Sequence, residues 1–238
     1  MESEAFVSAF LDACADGDLP NTQAPISSGR LTTEDLDEGL QLATERTHPH
    51  FAAALFDAGA RATSAKDFLV GTQPQMPGII RQFFDHGLDH NASASTGEPF
   101  LCILSNPASA REFLVGGADP NRCSPRPPSP LAIGGYPLAR AIATVRGDDV
   151  SRIELLIAYG AKLESHLLFR AIAPRNMGHP LHRAIDLGLP NIIKALLDAG
   201  ADPTARPVGT RYHDESPLQM AERSQRPKKQ AMLDLLRP

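Results

Sequence analysis

The chain has 238 residues, of which 42% are apolar, 21% charged and only 5% aromatic, with no tryptophan. That composition is ordinary for a globular protein and favours close helix packing over a sandwich or barrel, whose strands draw on aromatic and β-branched residues. A formal charge of −5 supplies no broad basic face, so nucleic acid is not an expected partner. The acidic start, Met1 to Glu4, is unlike a secretory signal, and no apolar run approaches the roughly 20 residues of a membrane span. Cys14, Cys102 and Cys123 share no metal-ligand spacing and cannot all pair, which fits a reducing compartment. The expectation is a soluble, cytoplasmic chain with no membrane, metal or cofactor dependence.

In chain order, an amphipathic helix is expected over Glu4–Asp16, apolar through Phe6, Phe10 and Leu11, and a second over Glu34–Arg46 opens the first full helix pair. Apolar pairs one turn apart then recur: Phe51 with Leu55 and Phe56, Ile79-Ile80 with Phe83-Phe84, Ile153 with Leu156-Ile157, Ile192-Ile193 with Leu196-Leu197, and Ala231-Met232 with Leu235-Leu236. Such spacing makes one apolar helix stripe. The first four stripes are followed by Gly59, Gly87, Gly160 and Gly200, and Gly117 closes a fifth segment, each where a helix end wants positive φ. A proline before an apolar residue marks helix starts at Pro99, Pro137, Pro180 and Pro217, since the first helical N–H has no intrahelical partner.

Residues 179–204, HPLHRAIDLGLPNIIKALLDAGADPT, resemble the ankyrin repeat, with His182, Ala184, Gly188 and the closing Gly-Ala-Asp where that family's pattern has them. The resemblance implies an all-α ankyrin-repeat solenoid of about six stacked helix pairs with short hairpin-like or irregular finger loops. A single domain over 1–238 would comprise a capping helix and loop (1–31), degenerate repeats (32–215) and a capping repeat (216–238). Successive glycines lie 28, 30, 43 and 40 residues apart against the family's roughly 33, so the later connections are enlarged. The excess falls in 123–135, 165–178 and 204–216, and long ordered loops are often functional.

Solenoids of this kind expose a concave surface, and the resemblance implies a protein-interaction module that holds a partner by its finger tips and first-helix positions. On this chain those are Arg183, Asp186 and Leu187, with Arg206, Arg211, Tyr212 and His213 in the following finger. Arg122, Arg126 and Tyr136 lie on the same edge. Arginine and tyrosine are enriched where interfaces draw their energy, and the arginines suit an acidic partner segment. The alternative is an ankyrin-fold enzyme or small-molecule binder, isomerase- or cyclase-like, taking an anionic or apolar molecule in a pocket between the long loops. Its candidate catalytic groups are His213, Asp214 and His179, because histidine beside carboxylates titrates near neutral pH. His179 and His182 form an i, i+3 pair without a third metal ligand. His182 falls at the family's structural histidine. Cys102, in the run PFLCIL, reads as a buried thiol, and the Arg226–Lys229 run as a solvated face.

Overall fold

The computed structural model describes residues 2–71, 75–123, 136–164, 179–207, 212 and 214–237, which form fifteen helices and no strand. They belong to two compact units, residues 1–95 with 108–117, and residues 96–107 with 118–238. In the first, α1 (Glu2–Asp16) folds back through α2 (Leu19–Ser27) and lies beside α3 (Thr33–Glu45). Next, α3 returns through α4 (Pro49–Asp57), carries the short α5 (Ala62–Ala65) and α6 (Phe68–Gly71), and α4 packs on α7 (Pro77–Asp85). The one-turn α8 (Phe100–Ile103) belongs to the second unit, while most of α9 (Pro107–Val115) completes the first.

In the second unit α10 (Pro137–Thr144), α12 (Pro180–Leu187) and α14 (Pro217–Arg223) form one layer, with α10 also meeting α8. Behind it α11 (Ser151–Ala158), α13 (Pro190–Asp198) and α15 (Lys229–Leu236) form another, each paired with the preceding helix of the first layer. The buried stripe of these helices is i, i+1, i+4: Ile79, Ile80 and Phe83 in α7, Ile192, Ile193 and Leu196 in α13. Their i+5 neighbours Phe84 and Leu197 are half-buried. The same register governs α15, where Met232, Leu233 and Leu236 are buried and Ala231 is exposed. The stripe expected from Ala231 is therefore displaced by one residue. In α11 the first position belongs to Arg152, 8% exposed, whose guanidinium donates to the Leu101 carbonyl at 2.8 Å. That carbonyl lies in a one-turn helix, where acceptors lack intrahelical donors. Burial draws the Arg152 pKa down to about 10.

The glycine ends are as expected. Gly200 has φ 95°, its N–H reaches the Leu197 carbonyl at 2.9 Å and the Ala201 N–H reaches Leu196 at 2.9 Å, the paired bonds of a Schellman cap. The same pairs recur at Gly59, Gly87 and Gly160. After α3 the position is held by Thr47 at φ 62°, with His48 N–H on the Ala43 carbonyl at 2.8 Å. A β-branched residue is strained there, so Thr47→Gly is expected to raise stability by about 1 kcal/mol. Chemical-denaturation midpoints of the two proteins check this, and an unchanged or lower midpoint would contradict it.

Helices α2, α5 and α6 have no counterpart in the residue pattern. Residues 19–27, expected as loop, form α2, started by Pro20 and the Asp18 side chain. Only Thr22 of this helix is buried, so no apolar stripe announced it.

Candidate functional site

The turns that follow Gly87, Gly117 and Gly200 are each built by an aspartate. Asp89, Asp119 and Asp202 each accept, at 2.8 Å, the N–H two residues on, from Asn91, Asn121 and Thr204, the side-chain turn typical of Asx residues. Neighbouring turns are then tied together. Asn121 donates to the Gly160 carbonyl and accepts from the Lys162 N–H, at 2.9 and 2.8 Å, and Glu164 accepts the Asp202 N–H at 3.0 Å. In the first unit Asp37 plays this part, accepting from the Arg61 N–H, the Arg61 guanidinium and the Ser64 hydroxyl.

His182 is fully buried, with Nε2 3.1 Å from the Glu215 carbonyl and its ring stacked 5.9 Å from Tyr212. It therefore ties α12 to the segment preceding α14, and burial, opposed in part by that hydrogen bond, lowers its pKa. His179 is 6% exposed, bonded through Nδ1 to Glu164 and 5.5 Å from the His182 ring. The pair thus faces protein on both sides, and no group of three or more metal-ligating side chains occurs among the described residues. Cys102 is 3% exposed and burial pushes its thiol up to about 12, as its apolar run suggested. His48 sits with Nε2 3.2 Å from the Ala15 carbonyl.

The candidate contact residues separate into three sets. Arg122 and Arg206 are exposed, Arg206 approaching the Asp214 carbonyl at 3.5 Å. Half-buried Arg183, Asp186 and Leu187 lie on α12, with Arg183 and Asp186 joined at 2.8 Å. Tyr212 is only 3% exposed, so most of its ring is spent on the scaffold. Half-buried Tyr136 donates its hydroxyl to the Cys123 sulfur. Asp214 is exposed, with φ 59°. Arg126, Arg211 and His213 lie outside the described residues, as do most of the connections 123–135 and 165–178 and residues 208–211 of the connection 204–216, between which the alternative puts its pocket.

Between α12 and α14 runs a groove of about 390 Å³ lined by Ile185, Asp186, Tyr212, Met220 and Arg223 through Arg226. Its wall on and after α14 is not among the contact residues expected from the sequence, and only Arg226 of the Arg226–Lys229 run lines it. Arg226 donates to the Asp186 carbonyl at 3.0 Å, with its stem 3.2 Å from where a Cβ on Gly188 would stand. Lys228 reaches Asp148 at 3.3 Å, and Asp148 also accepts the Asn191 and Ile192 N–H groups at the start of α13. The run is thus partly a lock between repeats.

Residues 179–207 match the family model described as "Ankyrin repeat". No curated protein matches the chain by sequence. Among solved structures, the ankyrin repeat domain of Bcl-3, of the IkappaB protein family, is 22% identical with a TM-score of 0.68, over 97% of this chain and 98% of that one. The human ASB11 ankyrin repeat domain is 19% identical with a TM-score of 0.65, over 96% and 98%. An ankyrin repeat domain from Acinetobacter baumannii is 24% identical with a TM-score of 0.64, over 81% and 98%. No described helix is long and apolar enough to cross a membrane.

Proposed function

We propose that this chain, an ankyrin-repeat protein, is a protein-interaction module that holds a partner segment along the α12–α14 groove and the adjoining turns. The observation that carries the reading is the groove itself: an apolar floor of Ile185 and Met220 under a rim of Asp186, Arg226 and Arg223, the last paired with Glu215 at 2.7 Å. Apolar anchors surrounded by arginine form a common basis of peptide recognition. Exposed Arg206 and Arg122 extend the positive character along the turns, which favours an acidic segment, and electrostatic steering of this kind speeds encounter. Leu187, half-buried on α12, supplies an apolar contact beside the Arg183–Asp186 pair. The turns are pinned to their neighbours by side-chain hydrogen bonds, so the surface is preorganised and binding orders little of the protein.

A photo-crosslinking residue placed at Leu187 is expected to capture a partner that the same residue at exposed Lys194, on the outer layer, does not. Binding of that partner should weaken at least about fivefold in Arg206→Glu, by loss and reversal of one charge contact. Equal capture at both positions would sink the reading.

A further inference from the structure

The first unit carries a second groove, of about 580 Å³, between α1 and α3. Its floor is Val7, Leu11 and Ala15 on α1 with Leu42 on α3, and its rim is Glu4, Asp12, Asp35 and Glu38. All four floor residues are half-buried, and no basic side chain lines the groove. Asp35 caps its own helix at Thr32, whereas Asp12 and Glu38 meet no cationic side chain among the described residues. The surrounding sequence sharpens the contrast: residues 1–45 hold ten carboxylates and one basic residue, Arg30, and Arg30 lies over the Phe6 ring at 4.2 Å. The remaining residues hold more basic than acidic side chains.

We infer that this groove receives a basic amphipathic helix of a partner protein. The inference rests on the interaction-module reading and adds a second site of opposite charge to the arginine-rimmed one. From Val7 to Ala15 the floor extends about 12 Å at the helical rise per residue, room for about two turns of a partner helix with apolar anchors at i and i+4. Lysines or arginines flanking those anchors would meet Asp12 on one wall and Glu38 on the other. The same carboxylates repel nucleic acid and anionic lipid surfaces, and they do not converge into a metal-binding group.

The test is selection from a displayed library of short helix-forming peptides with randomised apolar and charged positions, against the full chain. Affinities of the selected peptides are then measured by fluorescence anisotropy. Enriched peptides are expected to place at least two lysines or arginines around an i, i+4 apolar pair and to weaken as salt rises. They should lose at least about tenfold in affinity for Asp12→Lys/Glu38→Lys, lose affinity also for Leu11→Gln, and keep it for Arg223→Glu/Arg226→Glu. Circular dichroism checks that each variant stays folded. Enrichment of acidic or neutral peptides, or basic ones indifferent to the Asp12 and Glu38 reversals, overturns the inference. Peptides that answer only to the Arg223 and Arg226 reversals overturn it and leave the module reading standing, whereas no enrichment at either groove overturns both. Self-association of the chain abolished by Asp12→Lys/Glu38→Lys would make a second copy the occupant and equally overturn it.

Discussion

Asp37→Ala is expected to cost the first unit about 2–3 kcal/mol, the sum of lost charged hydrogen bonds and donors left unmet. Asp37 is 4% exposed and accepts the Arg61 N–H at 2.6 Å, Arg61 Nε at 2.8 Å and the Ser64 hydroxyl at 2.8 Å. It thereby ties α3 to the start of α5. Removing it leaves the Arg61 N–H and the Ser64 hydroxyl without their acceptor. The Arg61 side chain is 55% exposed and returns to water, so the loss stays below that of a fully buried ion pair. Asp37→Asn, which keeps one acceptor oxygen, should recover part of it. Burial raises the Asp37 pKa, but the hydrogen bonds and charge of Arg61, with the Ser64 bond, outweigh it and leave the carboxyl below its ordinary value. A depressed carboxylate stabilises the fold fully above its unfolded pKa of about 3.9, and that contribution is lost as pH falls through the folded value. The wild-type advantage over Asp37→Asn should therefore shrink in acid, below about pH 4. Denaturant midpoints of the three proteins across pH check both statements, and a midpoint for Asp37→Ala equal to wild type would refute the lock.

His182→Ala should have a comparable or larger effect, about 2–4 kcal/mol, because it opens a cavity and leaves the Glu215 carbonyl without its donor. The Tyr212 ring also loses its stacking partner. His182→Phe, which restores ring volume without the hydrogen bond, is expected to fall between Ala and wild type. In stacked repeats each unit is held by its neighbours, so the loss should appear as faster amide exchange in 205–236 before the first unit changes. The pH dependence has the opposite origin from that of Asp37. Burial holds the His182 pKa below its ordinary value, with His179 adding to the lowering. The unfolded chain therefore takes up a proton near pH 6.5 that the folded chain refuses, and stability declines as pH falls below that value until the folded pKa is passed. His182→Phe should lack this component. A pH profile identical in wild type and His182→Phe would show that the ring is not held neutral by the fold.

Much of the scaffold is legible from the residues because its causes are local. The glycines at 59, 87, 117, 160 and 200 all have positive φ, a consequence of backbone sterics that each position carries alone. Proline starts at Pro137, Pro180 and Pro217 begin helices, again a local effect. Where only burial chooses, the pattern is ambiguous: Met232 and Leu233, rather than Ala231 and Met232, face inward, since apolar residues at adjacent positions 231–233 and 235–236 satisfy either stripe until α13 supplies the surface. α2 stayed hidden because its polar residues bury little.

The proposed binding surfaces lie at the other extreme. Nothing local says that Tyr212 is stacked away on His182, or that Arg152 stands at an apolar position with the Leu101 carbonyl as its partner. Neither does it say that Asp148 caps a helix more than forty residues on or that Leu11 and Leu42 share a groove. By itself the sequence determines helix ends, turn aspartates and the repeat that names the fold, since these depend on backbone conformation over a few residues. Only the tertiary structure decides which side chains the stacked helices consume and which remain for a partner, because burial and hydrogen-bond satisfaction depend on neighbours distant in the chain.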